Sequence, residues 1–295
     1  MIYLSNFYLA SGEKEAMIYK NSKAKMSTSG SFYPYCIFPE KGLGKLSFTL
    51  PITILYGGNG SGKTTLLNII SEKLSLKREA LYNRTHWFEE YLDCCFYETD
   101  KVIPYKSLMI TSDDVFNFML NLRALNQGID ETREDLVSEY FKVRNNISIR
   151  DLVNKVDYND TKSVADFERK WSIMKGTVNK FIQHNVENNV REHSNGESAI
   201  QYFFNKIDSD ALYLLDEPEN SLSPERQLEL VEYIQNSAIG CGCQFIIATH
   251  SPFLLAMKRA EIYDLDSNPV VKKKWTDLSN VRVYRDFFKE HEEEF

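Results

Sequence analysis

The chain has 295 residues, 43% hydrophobic and 26% charged, enough to bury one large core or two modest ones, which excludes disordered, fibrous and collagen-like proteins. Its 35 basic and 42 acidic residues leave a net charge of -7. Bulk positive charge therefore cannot hold nucleic acid, and any such contact must be local or made through a partner.

The N-terminus, Met1 to Tyr8, lacks the basic n-region and cleavage site of a signal peptide, and no apolar run approaches the length of a membrane span. A cytoplasmic protein with no membrane contact is expected. Aromatic and β-branched residues alternate through Met1–Ala10 and again through Ser31–Phe38, with turn-rich Ser27–Gly30 and Lys41–Gly44, which predicts short antiparallel strands. Ile52–Tyr56 is apolar without alternation, as in a strand buried on both faces of a parallel sheet. A glycine-rich turn follows, then a predicted helix from Gly62 to about Leu76. Lys106–Thr111 reads as another core strand, and Ser112-Asp113-Asp114 as the cap of a helix over Val115–Leu125. From about Val115 to Val190 glycine nearly vanishes and apolar residues recur at three- and four-residue steps, which predicts a helical insertion.

Ala211–Leu215 and Gln244–Ala248 are two further strands, separated by an amphipathic helix around Pro224–Gln235. That alternation implies a parallel α/β sheet with right-handed crossovers. Lys272–Lys274 and the acidic Glu290–Glu294 read as solvated surface. The five cysteines (36, 94, 95, 241 and 243) show no zinc-type spacing and are expected as reduced, structural thiols.

Three motifs carry chemistry. Gly57-Gly58-Asn59-Gly60-Ser61-Gly62-Lys63-Thr64, followed by Thr65, satisfies G-x-x-x-x-G-K-[ST] between a buried strand and a helix. Glycines let the backbone wrap so that N–H groups and a helix N-terminus converge on phosphates, while Lys63 reaches the β- and γ-phosphates and Thr64 ligates Mg²⁺. Leu212–Leu215 delivers Asp216 and Glu217 to the carboxyl edge of the sheet. There Asp216 is placed to hold Mg²⁺ and Glu217 to act as general base on the attacking water. The strand Phe245–Ala248 ends in Thr249-His250-Ser251-Pro252 at the same edge, so His250 is placed to sense the γ-phosphate. His86, His184 and His291 read as structural.

Together GGNGSGKTT, LLDEP and IIATHSP resemble the ATP-binding-cassette ATPase superfamily, and within it the soluble branch that contains RecF and the structural-maintenance-of-chromosomes proteins. The resemblance directs attention to His193-Ser194-Asn195-Gly196-Glu197-Ser198, where Ser194, Gly196 and Glu197 occupy the serine, second glycine and glutamine positions of the family signature. Taken alone, these residues read as a turn and helix cap opening a helix over Ser198–Lys206. In the family the signature touches the ATP of the other subunit. The resemblance therefore implies two copies closing head to tail on ATP and Mg²⁺, with Ser194, Asn195, Gly196 and Glu197 contacting nucleotide in trans.

It also implies an α/β head of the phosphate-loop type with antiparallel N-terminal strands, a mainly parallel core sheet and a helical insertion. The expected division is residues 1–114 (N-terminal strands and phosphate-loop half), 115–190 (helical lobe) and 191–295 (signature, Asp-Glu strand and histidine half). Two departures stand out. Ser223 sits where the family has an aspartate after Leu222, and no glutamine follows the Leu108–Thr111 strand, leaving Ser112-Asp113-Asp114 there.

Transporter subunits share these motifs. SNGES without a leading leucine, the THSP run and the long segment between Gly57 and Ser194 lean away from transport. In size the chain is similar to compact stand-alone bacterial ATPases of anti-phage defence, of the retron and Septu type. That likeness implies an effector partner such as a nuclease, since no nuclease motif stands in this chain. Phe167–Trp171 and Met174–Phe181 interleave bases with aromatics, which fits either a strip for DNA or RNA or an amphipathic helix with its aromatics in a core. The expected function is ATP hydrolysis gating a partner in phage defence or DNA maintenance. The alternatives are a transporter ATPase subunit and a nucleotide-binding scaffold with negligible hydrolysis.

Overall fold

The computed structural model describes residues 1–26, 32–82, 84–85, 87–146, 160–186 and 195–295. Strand β1 (Leu4–Tyr8) pairs antiparallel with β2 (Lys45–Ser47) on one side and β4 (Phe96–Thr99) on the other. Between them in sequence lie helix α1 (Gly12–Met26), β3 (Ile52–Tyr56), α2 (Lys63–Lys73) and α3 (Trp87–Cys94). The second sheet has the order β5-β6-β7-β3-β8-β9, with β5 Leu108–Thr111, β6 Leu212–Asp216, β7 Gln244–Thr249, β8 Ala260–Asp264 and β9 Val271–Lys272. Every pairing in it is parallel except the edge pair of β8 with β9. β3, β6 and β7 are buried along their whole length, which is why their sequences are unbroken apolar runs.

One apolar core joins the two sheets. Phe7 and Leu46 from the antiparallel sheet, Leu66, Leu67 and Ile70 from α2, and Leu214 and Ile246 from the parallel sheet belong to the same cluster. Each such side chain contributes about 1.5–3 kcal/mol by leaving water. Gln244 stitches the sheets together from inside this core. Its Oε1 accepts from the N–H groups of Tyr3 (2.7 Å) and Leu4 (2.9 Å), and its Nε2 donates to the Leu4 carbonyl (2.8 Å). A fully buried amide is tolerated because all of these polar groups find partners.

The chain divides into two compact units, residues 1–116 with 194–295, and residues 117–193. Helix α4 (Ser112–Asn146) starts in the first and continues through the second, where α5 (Thr161–Lys175) and α6 (Val178–Asn185) follow. The second unit has its own core of Leu136, Tyr140, Val143, Ile173 and Phe181. Its basic and aromatic residues are mostly occupied: Arg169 forks onto Glu139, Lys170 pairs with Asp166, Lys175 lies over the Trp171 ring at 4.7 Å, and Phe181 is buried.

The remaining helices are α7 (Asn195–Lys206), α8 (Pro224–Gly240), α9 (Pro252–Leu255) and α10 (Ser279–Glu290). No described helix is long and apolar enough to cross a membrane.

Several elements differ from the sequence pattern. The described part of Ser31–Phe38 is turn rather than strand: Pro34 lacks an N–H for a ladder, Cys36 has a left-handed backbone (φ 65°), and Tyr35 and Phe38 turn into the core. The partner strands of β1 are β2 and β4 instead, and β4, exposed along its length, has no apolar alternation to reveal it. The cap of α4 sits one residue earlier than expected. Thr111 Oγ1 accepts from the Asp114 N–H (3.3 Å), and the Asp114 carboxylate accepts from the Thr111 N–H (2.7 Å), a reciprocal capping box.

Lys272 and Lys273 are not merely solvated. They pair with the buried carboxylates of Glu261 and Asp264, the latter at 2.6 Å. Burial alone would raise the Glu261 carboxyl, but hydrogen bonds from Lys272 and Thr49 outweigh it and hold the group below the ordinary range. A depressed carboxyl stabilises the fold above its unfolded pKa, and that stabilisation is lost as pH falls through its folded pKa. Lys272→Met is therefore expected to cost about 1–2 kcal/mol near neutral pH, a figure discounted for the 40% exposure of the lysine, and almost nothing in acid. Urea unfolding of both proteins at pH 7 and below pH 4 measures this, and an equal deficit at both pH values contradicts it.

Candidate functional site

The parallel register aligns the chemistry. Thr111 lies beside Asp216, Asp216 beside Ala248, and Thr249 beside Tyr56, so the segments that follow β5, β6, β7 and β3 leave the sheet at one edge. The turn after β3 wraps tightly. A Cβ on Gly57 would lie 2.5 Å from Ser61 Oγ, and Gly62, with φ +99°, takes a backbone shape that side chains rarely adopt. Gly62 is the N-cap of α2 and no side chain caps that end. The orphan N–H groups of its first turn therefore border the cavity, of about 250 Å³, that Gly58, Asn59, Gly60, Ser61, Gly62, Lys63, Thr64, Thr65, Ile37 and Glu217 enclose. An uncapped helix N-terminus in a glycine cradle fits a phosphate chain.

Lys63 is buried, its Nζ donating to the carbonyls of Gly57 (2.7 Å) and Gly58 (3.1 Å) and standing 3.9 Å from Glu217 Oε1. Thr64 Oγ1 donates to Asp216 Oδ1 at 3.1 Å. Burial pushes the Asp216 carboxyl up to about 6, the Thr64 hydrogen bond and Lys63 pulling it down and the Glu217 charge adding to the rise. A buried, strained carboxylate beside a hydroxyl fits a hard divalent cation. Among the described residues there is no group of three or more candidate metal-binding side chains. Thr64 and Asp216 are the residues that would hold Mg²⁺, and the ion would supply charge neutralisation at the phosphates.

Glu217 has a left-handed backbone (φ 48°), which turns the chain sharply as β6 ends. Its N–H donates to Ala248 O (2.9 Å), and its Oε2 accepts from Asn220 Nδ2 (3.1 Å). His250 Nδ1 lies 3.9 Å from Glu217 Oε1. Lys63, Thr64, Asp216, Glu217 and His250 are thus brought together.

Of the signature residues, only Gly196 and Glu197 can be placed relative to this cavity. Ser194 lies outside the described residues, as does His86, and Asn195 is described only as the start of α7. Gly196 packs near Ser221 O and Arg226, and Glu197 pairs with Arg226 at 3.2 Å; neither lines the cavity. Ser223, in place of the family aspartate, caps α8.

Sequence reasoning missed four residues. Glu219 is buried, and its Oε1 accepts from Thr249 Oγ1 (2.6 Å), His250 N (3.0 Å) and Ser251 N (3.2 Å), fixing the loop that carries His250. Lys41 Nζ ties Ser61 O (2.8 Å) to Leu265 O (2.7 Å). Asp266 Oδ2 accepts from Gly58 N (2.8 Å), and Asn280 Nδ2 donates to the His250 carbonyl (2.7 Å). Glu219 was adjacent to a recognised motif; nothing local marks the other three.

A family model described as "ABC transporter" matches residues 45–220, and one described as "AAA domain, putative AbiEii toxin, Type IV TA system" matches residues 198–256. Solved structures similar to the chain include the Smc head domain from Pyrococcus furiosus, with an extended coiled coil and bound to the C-terminal domain of ScpA (11% identity, TM-score 0.42, covering 97% of this chain and 100% of that one). Another is cbiO1 from Clostridium perfringens, part of the ABC transporter complex cbiONQ (13% identity, TM-score 0.38, covering 99% and 95%). No curated protein matches the chain.

Proposed function

The chain belongs to the ABC transporter family, and from its site we propose that it is an ATPase whose copies close head to tail on ATP and whose opening and closing gate a partner protein. The observation that carries this reading is the convergence of Lys63, Thr64 and Glu217 on one cavity at the sheet edge, with Asp216 hydrogen-bonded to Thr64.

Lys63 and the N–H groups opening α2 bind and orient the phosphates. Glu217 takes the proton from the attacking water, and Glu219 holds His250 where it reads the γ-phosphate. Ser194, Asn195, Gly196 and Glu197 contact the nucleotide of the second copy. ATP then favours the closed pair by as much as it binds that state better than the open one. An effector protein, in phage defence or DNA maintenance, is the partner that would read the change of shape.

Calorimetric titration with ATP and Mg²⁺ tests the site. Wild type is expected to bind and to sediment as a pair with ATP, while Lys63→Ala does neither. Absence of ATP binding by a folded wild type overturns the reading. A second reading, the ATP-binding subunit of a transporter, has the family description in its favour and requires a membrane permease to co-purify with the chain.

A further inference from the structure

We infer that Lys41 and Asp266 are positioning residues that grip the phosphate loop from outside and set two of its peptide planes, one to bind phosphate and one to aim Lys63. The inference rests on the nucleotide reading above and names what, beyond the motif itself, sets the affinity of that site. Neither residue is among the described ones that line the cavity. Lys41 Nζ donates to the carbonyl of Ser61 at 2.8 Å, and Asp266 Oδ2 accepts from the N–H of Gly58 at 2.8 Å. Both peptides concerned, Ser61–Gly62 and Gly57–Gly58, are trans, so in each the carbonyl and the N–H point opposite ways. Holding the Ser61 carbonyl on Lys41 therefore turns the Gly62 N–H away from Lys41, toward the cavity that Gly62 lines. Holding the Gly58 N–H on Asp266 turns the Gly57 carbonyl the other way, and that carbonyl receives Lys63 Nζ at 2.7 Å.

The loop needs such a grip. Glycine takes either sign of φ at little steric cost, so the plane between Ser61 and Gly62 can turn over unless it is held. Turned over, it would set a carbonyl oxygen against the phosphates. An ammonium on the Ser61 carbonyl also polarises that peptide and makes the Gly62 N–H a stronger donor. Both grips are themselves anchored. The second acceptor of Lys41 is Leu265 O (2.7 Å), and the Leu265 N–H donates to the carbonyl of Tyr56 (2.8 Å), the last residue of β3. The Asp266 N–H donates to Oδ1 of the buried Asp264 (3.0 Å), whose Oδ2 accepts from Ser267 Oγ and Lys273 Nζ, both at 2.6 Å. The turn Pro39–Lys41 and the segment after β8 also hold each other, the Val270 N–H donating to Lys41 O (2.9 Å) and Asn268 Nδ2 to Glu40 O (3.0 Å). The loop is thus shaped before nucleotide arrives, and binding need not order it.

Calorimetric titration of the full chain with ATP and Mg²⁺, beside steady-state hydrolysis, tests this. Lys41→Met keeps the length of the side chain and loses its donor. It should weaken ATP binding about tenfold and raise KM to match, with kcat within about threefold of wild type. Asp266→Ala should also weaken binding about tenfold, whereas Asp266→Asn, whose amide oxygen still accepts from Gly58, should stay within about threefold of wild type. A residue that served only the fold would lower Tm without this split between KM and kcat and without rescue by asparagine. Lys41→Met or Asp266→Ala, folded by circular dichroism and binding ATP as wild type does, overturns the inference, and so does an asparagine variant no better than the alanine one. If Lys41→Met does not fold, the two Asp266 variants decide. A folded wild type that binds no ATP overturns this inference together with the nucleotide reading, whereas a wild type that binds and variants that match it overturn this inference alone.

Discussion

Glu217→Gln is expected to bind ATP as wild type does, to hydrolyse it at least about a hundredfold more slowly, and to accumulate as an ATP-dependent pair. Among the described residues Glu217 is the only carboxylate lining the cavity, with its Oε1 3.9 Å from both Lys63 Nζ and His250 Nδ1. The other carboxylates nearby are committed: Asp216 to Thr64, and Glu219 to three donors of the loop after β7. Glutamine preserves the shape and keeps the Asn220 contact through its carbonyl oxygen, but it cannot take a proton from water. The loss should therefore fall on kcat with KM little changed, as when an interaction made only in the transition state is removed. Phosphate release under saturating ATP gives kcat, and sedimentation with ATP and Mg²⁺ gives the population of pairs. A variant hydrolysing within about threefold of wild type would remove Glu217 from the role of general base. Negligible turnover in wild type itself would leave the chain a nucleotide-bound scaffold.

What the sequence revealed and what it hid divide along one physical line. The phosphate loop was legible because its function is local: glycines, a lysine and a threonine at fixed spacing make their own backbone shape. β3, β6 and β7 were legible because a strand buried on both faces has no choice but to be apolar. Asp216, Glu217 and His250 followed from these strands, since the end of a parallel strand fixes which side chain reaches the sheet edge. Lys41, Asp266 and Asn280 stayed hidden because each acts on a backbone group far away in sequence, Asp266 on Gly58 and Asn280 on His250, and no periodicity records a partner. The same reason hid the pairing of Lys272 and Lys273 with β8: a run of lysines looks alike whether it faces water or a buried carboxylate. β2 and β4 stayed hidden because short edge strands of a small sheet carry little apolar pattern.

Asp216→Asn is expected to move stability and activity in opposite directions. In the nucleotide-free protein the Asp216 carboxyl is buried and pushed up to about 6 from an ordinary 3.8. Between those values the native state holds more protons than the unfolded chain, so stability falls as pH rises through that window and the deficit is complete above it. Asparagine is isosteric, still accepts from Thr64 Oγ1, and carries no charge to desolvate. Without Mg²⁺ or ATP the variant should be more stable than wild type by about 2 kcal/mol at pH 7.5, and no more stable near pH 3.5. For a chain of this size that is a rise of several degrees in Tm.

Adding ATP with Mg²⁺ should reverse the order, because a divalent cation offsets the buried charge in wild type and finds no carboxylate in the variant, whose hydrolysis falls by more than about a hundredfold. Thermal unfolding at the two pH values, with and without ATP and Mg²⁺, reads all of this in one set of scans. A variant less stable than wild type at pH 7.5 in the absence of ligand would mean that the carboxylate is stabilised by its surroundings rather than strained by them. Asp216 would then be a structural anchor for α2 and not the cation's ligand.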